Sequence, residues 1–185
     1  MQRRNFLIWV SRAMGSAIAA LVALPGMQYV WNTLHADTAV SNTRRRVVRW
    51  KDLRPGEPVQ FSIYGERRDA WHVEPQQVIG RVWLVRQPEN AAVAASGVAA
   101  FTSICPHMGC QVQKSVGDAG FICPCHRAAF KLDGNPLQQG AERNHTPRGL
   151  DQLPCELVKD DLGDLWVEVE YQRFEPSLTR KVVKA

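Results

Sequence analysis

The chain has 185 residues, a formal net charge of +5 and an apolar fraction of 45 %. That length suits one modest domain with an appendage, and the apolar fraction is that of a chain with a packed core, which argues against a disordered protein. The basic residues do not cluster on one element with interleaved aromatic residues, which argues against nucleic-acid binding. Much of the positive charge instead flanks an apolar run, as at a membrane surface, and lies at Arg3, Arg4, Arg44, Arg45, Arg46 and Arg49.

Residues 1–35 predict an export signal followed by a membrane anchor. Gln2-Arg3-Arg4-Asn5-Phe6-Leu7 is similar to a twin-arginine signal, although two arginines would also satisfy the positive-inside rule. Ala13 to Val30 is apolar or small, and a helix of that length spans about 27 Å, close to the hydrocarbon thickness of a bilayer. The alternative is a cleaved signal peptide, but no small-x-small cleavage site follows the run, so we expect a retained anchor. The signal implies a cytoplasmic N-terminus, with the rest of the chain on the periplasmic side of a bacterial inner membrane.

Residues 36–50 predict a flexible linker between this anchor and the rest of the chain. Ala36 to Asn42 is small and polar and has no periodicity. About ten extended residues reach up to roughly 33 Å, which is enough for a hinge, although an immobile connector fits the same sequence. Arg44-Arg45-Arg46 is open to two interpretations: contact with anionic head groups or a partner subunit, and a solvated run of charge.

Residues 51–185 predict an all-β domain. Short runs of β-forming residues recur between Pro, Gly and Asp, and Asp160-Asp161-Leu162-Gly163-Asp164 is typical of the turn of a final hairpin. We expect a small sandwich or barrel with an inserted, loop-rich subdomain over about residues 103–150. The predicted strands are Pro58–Tyr64, Val78–Arg86, Val98–Ile104, Gly120–Cys123, Leu153–Lys159 and Leu165–Val169.

Two short boxes carry the chemistry. Cys105-Pro106-His107-Met108-Gly109-Cys110 and Cys123-Pro124-Cys125-His126 each contain two cysteines and one histidine. Two cysteines and two histidines suffice to hold a [2Fe–2S] cluster of the Rieske type, and the two remaining cysteines, one per box, can pair in an oxidising compartment. A zinc site uses the same donors but usually keeps its cysteines together and its histidines together. A haem attachment needs Cys-x-x-Cys-His, which has one more spacer than the second box, and a plain structural disulfide leaves the histidines unexplained.

The boxes resemble those of Rieske iron–sulfur proteins, specifically the membrane-anchored subunit of cytochrome bc-type quinol-oxidising complexes. The resemblance implies four ligands for one Rieske-type [2Fe–2S] cluster, with two cysteines on one iron and two histidines on the other: Cys105 and Cys123, and His107 and His126. It also implies a disulfide between Cys110 and Cys125. Asn144 to Leu150, which contains Pro147 and Gly149, takes the place of the family's third, proline-rich loop.

The same resemblance implies an electron-transfer function in a respiratory chain. The chain would be the Rieske subunit of a quinol:cytochrome c oxidoreductase, which takes an electron from quinol and passes it to a c-type cytochrome. In the family's pattern, quinol contacts an exposed histidine, for which His126 is the first choice with His107 beside it. The implied partners are b-type and c-type cytochrome subunits, quinol and the membrane, with no role for nucleic acid.

One departure from the family bears on the redox potential. Many high-potential members read Gly-Ser after the second histidine, with a Tyr two residues past the Ser. Here those positions are Arg127, Ala128 and Phe130, so both hydroxyls that donate hydrogen bonds to sulfur are missing. Hydrogen-bond donors at sulfur stabilise the reduced cluster, so their loss lowers its potential. The positive charge of Arg127 would raise the potential, but it is screened by water and salt. We therefore expect a low potential and a low-potential electron donor such as menaquinol.

Other Rieske proteins are the main alternatives. A Rieske subunit of a periplasmic molybdenum oxidase, such as the arsenite-oxidising type, can share the export signal and the disulfide. The ferredoxin of a ring-hydroxylating oxygenase or of a nitrite reductase usually lacks the extra cysteine pair. A retained anchor and association with b-type haem separate the bc-type subunit from the molybdenum-oxidase subunit.

Several residues of reactive type fall outside this pattern. His145 lies in the third loop, but four ligands are already assigned, so we expect an ordinary loop residue, like His35 and His72. Cys155, the fifth cysteine, stands at a predicted strand start, where we expect a buried free thiol. The basic tail from Arg173 to Lys184 has no function that the sequence indicates.

Overall fold

The computed structural model describes residues 3–34, 44–69, 72–87, 97–117, 120–137 and 145–184. It divides into two compact units, of which one comprises Met1–Thr38 with Arg68–Val73 and the other Ala39–Arg67 with Glu74–Ala185. The predicted linker segment 36–42 and His35 lie outside the described residues. The all-β prediction with one preceding apolar helix is confirmed.

The N-terminal helix α1 is longer than the predicted anchor. It runs from Arg3 to Leu34 and includes all of the predicted export signal after Gln2 as well as the apolar run. Its mean hydropathy of 1.8 over an 18-residue window and its length meet the requirements of a membrane span. Pro25 lies inside the helix, a position that membrane helices tolerate because neighbouring groups satisfy the freed carbonyl.

Three strands form the first sheet of the β head. Their order is β1 (Arg44–Arg49), β10 (Leu165–Glu170) and β9 (Cys155–Lys159), all antiparallel. The linker predicted over residues 36–50 therefore extended too far, because its last residues are a strand of the head followed by a 3-10 turn at Trp50–Asp52. The run of arginines indicated a linker rather than a strand. In the structure, Val47 and Val48 of this strand pack against the core.

Two arginines of β1 pair with glutamates of the same sheet. Arg46 Nε lies 3.0 Å from Glu168 Oε1, and Arg44 contacts Glu156 on β9 and lies 3.9 Å from Glu170 Oε2 on β10. The two arginine side chains are about half exposed, so each pair contributes little to stability. Arg44 and Arg46 thus form cross-strand ion pairs, an arrangement that neither earlier interpretation of the basic run included.

A second sheet has four strands, one of which leads into the first Cys/His box. Its strand order is β2 (Pro58–Asp69), β3 (His72–Arg86), β4 (Val98–Thr102) and β8 (Gln152–Leu153). The strand predicted over Leu153–Lys159 is therefore two strands on two different sheets. Pro154 separates them, because proline has no N–H with which to continue a ladder.

A third, small sheet forms the loop-rich subdomain. It consists of β5 (Gln113–Lys114), β6 (Gly120–Ile122) and β7 (Ala129–Lys131), in that order. A Cβ on Gly120 would lie 2.3 Å from the Phe130 carbonyl oxygen, so only glycine allows the close approach of β6 and β7 at this position. Sequence reasoning found β6 but missed β5 and β7, which are too short to show a period.

Residues 82–85 of β3 and all of β4 are buried on both faces and separate two hydrophobic cores. Val82 and Leu84 of β3 belong to the core between the two larger sheets. The alternate residues Trp83 and Val85, with Phe101 of β4, belong to a second core under the loop-rich subdomain. Because side chains alternate across a strand, a continuous apolar run supplies both cores at once.

Asp160 organises the turn of the β9–β10 hairpin, as predicted for this segment. Its Oδ1 accepts hydrogen bonds from the N–H groups of Leu162 and Asp164, at 3.0 and 2.9 Å, and its Oδ2 accepts one from Trp166 Nε1 at 2.8 Å. The bond from Trp166 is the main reason that the pKa of the Asp160 carboxyl is lowered from its ordinary value. The ionised carboxylate therefore stabilises the folded hairpin.

We expect Asp160→Ala to lower the melting temperature by about 2–5 °C at pH 7. Since the folded pKa is below the ordinary value of 3.8, the contribution of the carboxylate is complete above that pH and is lost as the pH falls through the folded pKa. The difference between wild type and variant should shrink on going from pH 7 to pH 2, measured by thermal circular dichroism. Asp161→Ala is the matched control and should leave the melting temperature unchanged; an equal loss in both variants would contradict the assignment.

Candidate metal centre

The first box is a loop that follows β4 directly. An isolated bridge between Ile104 and Gln111 closes it. Within the loop, Cys105 N–H donates to the Cys110 carbonyl at 2.7 Å, and Gly109 N–H donates to the Cys105 carbonyl at 3.0 Å. Gly109 has φ +79°, a left-handed conformation that glycine adopts without strain. The loop therefore turns sharply enough to keep both of its cysteines on one side of the head.

The second box connects β6 to β7. The Cys123 N–H donates to the Ala128 carbonyl at 2.8 Å, which closes the turn. Arg127 has φ +57°, in the left-handed region that costs a non-glycine residue about 1–2 kcal/mol. Arg127 therefore forms this turn at some cost in stability.

The disulfide between Cys110 and Cys125 is present and joins the two boxes. The two residues are 15 apart in sequence, and closing a loop of that length stabilises a fold by about 3 kcal/mol in the chain-entropy treatment. The sulfurs of Cys110, Cys123 and Cys125 lie within 4.8 Å of one another. Since two of them form the disulfide, only Cys123 in this group has a sulfur that is free to bind metal.

The two free cysteines of the boxes are buried under the subdomain. Cys105 and Cys123 belong to the second core and are almost inaccessible to water. Burial raises the pKa of the Cys105 thiol to about 11, and the neighbouring Cys123 adds to the shift. Backbone N–H groups of His107 and Met108 point at the Cys105 sulfur and oppose the shift. Such N–H groups stabilise a thiolate, the form in which cysteine binds a metal.

The two box histidines lie against each other. Their ring centroids are 4.7 Å apart in an edge-to-face arrangement. His126 is exposed, whereas His107 is half-buried. The Nδ1 atom of His107 is buried and has no hydrogen-bond partner among the residues that the structure describes. A buried polar atom without a partner is costly, and a metal ion bound at Nδ1 would remove that cost.

The donors thus fit a Rieske-type cluster. The second core holds two buried thiols, the buried Nδ1 of one imidazole is unsatisfied, and the ring of a second imidazole is in contact with it. Two thiolates and two imidazoles are the ligand set of a Rieske [2Fe–2S] centre. The disulfide keeps the remaining box cysteines out of the ligand set.

The predicted third loop is described from residue 145 onwards. Its end packs on the site, because Leu150 is buried in the same core as Cys105 and its N–H donates to the Gly134 carbonyl at 2.8 Å. His145 is exposed. Asn144 lies outside the described residues.

Sequence reasoning missed two residues that contact the loops around the site. Arg148, in the third loop, forms an ion pair with Asp151, and Ser177, in the C-terminal tail, donates from Oγ to the His107 carbonyl at 2.6 Å. A lone arginine and a lone serine carry no motif that marks them. Cys155 was expected to be buried, but it is only half-buried, and its Sγ lies 3.3 Å from the Val98 carbonyl oxygen.

A β head with two cores and a disulfide-joined pair of Cys/His loops defines an iron–sulfur protein of the Rieske class. Comparison with known families agrees: the profile of the Rieske [2Fe-2S] domain matches residues 43–154. The chain belongs to this family, and its cofactor is a Rieske-type [2Fe–2S] cluster.

Sequence similarity to a known relative covers most of the chain. It is 25 % identical over 176 residues to the cytochrome b6-f complex iron-sulfur subunit of Synechococcus elongatus, which covers 93 % of this chain and 89 % of the relative. Among solved structures, it is similar to a chain of a hyperthermophilic respiratory Complex III, with 17 % identity, a TM-score of 0.40, and coverage of 83 % of this chain and 98 % of that chain. The quaternary ammonium Rieske monooxygenase CntA matches with 19 % identity and a TM-score of 0.43 over 69 % of this chain, which spans only 31 % of that enzyme.

In metal-free protein, we expect Cys105 to be alkylated by iodoacetamide at a rate that keeps rising up to about pH 11. A thiol with a pKa of about 11 is ionised only to about one part in a thousand at pH 8, and the thiolate is the reactive form. Peptide mapping by mass spectrometry follows Cys105, with Cys155 as an internal reference in the same sample. A plateau for Cys105 at or below pH 9 would contradict the raised pKa.

Proposed function

We propose that the chain is the Rieske subunit of a cytochrome bc-type quinol:cytochrome c oxidoreductase. The observation that carries the proposal is an exposed histidine ring, that of His126, at the outer side of a donor set whose thiols are buried. Such a site isolates the iron atoms from water and leaves one ligand edge open to a substrate. The membrane-length helix and the similarity to a b6-f subunit along most of the chain support the same function.

The proposed ligands keep the assignment made from the boxes. Cys105 and Cys123 bind one iron, and His107 and His126 bind the other. When bound, the cluster supplies a centre that takes up and releases one electron. The protein residues do the rest: the second core excludes water from the thiolates, and the disulfide between the two boxes holds the loops together.

His126 is the proposed quinol contact. Its ring is exposed, and the ring nitrogen that does not bind iron can, in its deprotonated form, accept a hydrogen bond and then the proton from a quinol hydroxyl. His107, whose ring is in contact with it, is less exposed and takes the second place.

The proposed function places the chain in a membrane complex with cytochrome partners. Helix α1 anchors the chain in a bacterial inner membrane, with the N-terminus cytoplasmic and the head on the periplasmic side, after export through the twin-arginine route. The partners are a b-type cytochrome, which shares the quinol site, and a c-type cytochrome, which accepts the electron. The segment between helix and head, now shortened at Arg44, is the proposed hinge.

We test the function on full-length protein with an affinity tag after Ala185, purified from its native membranes in mild detergent. We expect a rhombic EPR signal with an average g value below that of all-cysteine ferredoxins, co-purifying b-type haem and quinol-dependent reduction of cytochrome c. The same EPR signal with co-purifying molybdenum and without haem b would instead identify the chain as a subunit of an arsenite oxidase-type enzyme. A colourless, zinc-containing protein would remove the redox function altogether.

The potential of the cluster follows from the residues after the second box. Ala128 and Phe130 are buried in the same core as Cys105 and Cys123, so neither position offers a hydroxyl to a cluster sulfur. Arg127 is exposed, so its charge is largely screened. We therefore place the midpoint in the lower part of the roughly −150 to +300 mV Rieske range, which suits menaquinol as the electron donor.

We expect the double variant Ala128→Ser and Phe130→Tyr to raise the midpoint, because hydrogen bonds to sulfur stabilise the reduced form. The measurement is an EPR-monitored redox titration of the full-length protein. Ala129→Ser is the matched control, since it adds a hydroxyl at the neighbouring buried position, and it should leave the midpoint unchanged. An unchanged midpoint in the double variant, or an equal rise in the control, would refute the argument.

A further inference from the structure

We propose that the C-terminal tail, residues 173–184, is a clamp on the first box and that Ser177 is a positioning residue for His107. The proposal rests on His107 being a cluster ligand. It assigns a function to the basic tail, for which the sequence indicates none.

The tail is a folded element with its own backbone pairing. Glu175 N–H donates to the Val182 carbonyl at 2.9 Å, and Lys184 N–H donates to the Arg173 carbonyl at 2.8 Å. Between these rungs, Phe174 is buried in the core of the two larger sheets. The tail therefore doubles back on itself, with a buried base and a tip around residues 176–181.

Ser177, at the tip of the tail, contacts the first box through its N–H and its hydroxyl, and its Oγ also lies 3.5 Å from Met108 Sδ. Ser177 N–H donates to the Pro106 carbonyl at 2.8 Å, and Ser177 Oγ donates to the His107 carbonyl at 2.6 Å. Ser177 has φ +63°, a conformation that residues other than glycine rarely adopt. A serine persists in such a conformation only when its surroundings hold it there, and these two bonds are what hold it.

Arg148 in the third loop fixes the tip from the other side. Its guanidinium makes a two-pronged ion pair with Asp151, with Nε–Oδ1 and Nη2–Oδ2 distances of 2.8 and 2.7 Å, and the side chains are only 10 % and 4 % exposed. The same guanidinium donates to the Glu175 carbonyl at 2.9 Å and to the Leu178 carbonyl. These carbonyls flank Ser177, so Arg148 sets the position from which the serine reaches the box.

The contacts form a chain from the third loop through the tail to the first box. At its end are the carbonyls of Pro106 and His107, which belong to the two peptide groups on either side of the His107 Cα. The Nδ1 atom of the His107 ring is buried and has no hydrogen-bond partner among the residues that the structure describes. A looser backbone at His107 would let the ring change its orientation, which alters the bond to iron and opens the site to water.

Ser177→Ala in the full-length protein tests the clamp. It removes the hydroxyl bond and leaves the N–H bond as the remaining backbone contact between residue 177 and the first box. We expect chelators to remove iron about two- to fivefold faster, a factor corresponding to one modest hydrogen bond, and the g values of the reduced cluster to shift. Arg148→Lys, which keeps the charge and loses the two-pronged geometry, should change both readouts in the same direction.

Thr179→Ala is the matched control, because it removes a hydroxyl from the same exposed tip without touching the contacts described above. Wild-type iron release and g values in Ser177→Ala would overturn the proposal, and so would a lowered melting temperature with both readouts unchanged. Amide hydrogen exchange on metal-free protein gives an independent measure. There we expect Ser177→Ala to speed exchange at Cys105 and Gly109, and no change would count against the clamp even if the redox function failed its own test.

Discussion

The structure depends on one constraint: two short loops without regular secondary structure must hold the four proposed metal donors against each other. Loops of this kind lose much conformational entropy on ordering, so their geometry has to be imposed from outside. The Cys110–Cys125 disulfide links the loops directly, and the second core beneath them buries Cys105 and Cys123. The donors are therefore held by a covalent bond on one side and by packing on the other.

The same arrangement shields the thiols from water and leaves one histidine ring accessible. The thiols lie in a core built from alternate residues of β3 and β4, where water is excluded, whereas the ring of His126 is exposed. A redox centre in a membrane complex needs both properties, because the iron must be shielded and the substrate must reach a ligand. The tail adds a third support at His107, which lies between the shielded and the accessible sides of the site.

The cofactor class and the Cys110–Cys125 disulfide could be predicted from sequence, and the fold only in part. The two boxes carry a dense, fixed-spacing signal in chemically distinctive residues, so their meaning does not depend on context. Strand β1 was hidden because arginines that pair with Glu156 and Glu168 across a sheet have the same sequence as a solvated basic linker. Pro154 was taken as part of one strand, since no local signal says that the chain changes sheets there.

By itself, the sequence determined the chemistry of the centre: the donor types, their spacing, the apolar helix and the turn at Asp160 are all local properties. Only the tertiary structure decided which groups surround that centre. Ser177 lies 70 positions from His107 in the chain, and Arg148 reaches carbonyls on both sides of Ser177. The reason is physical: a metal ligand is recognised by its own side-chain chemistry, whereas a supporting hydrogen bond is made by common residues whose partners are fixed only when the whole chain has folded.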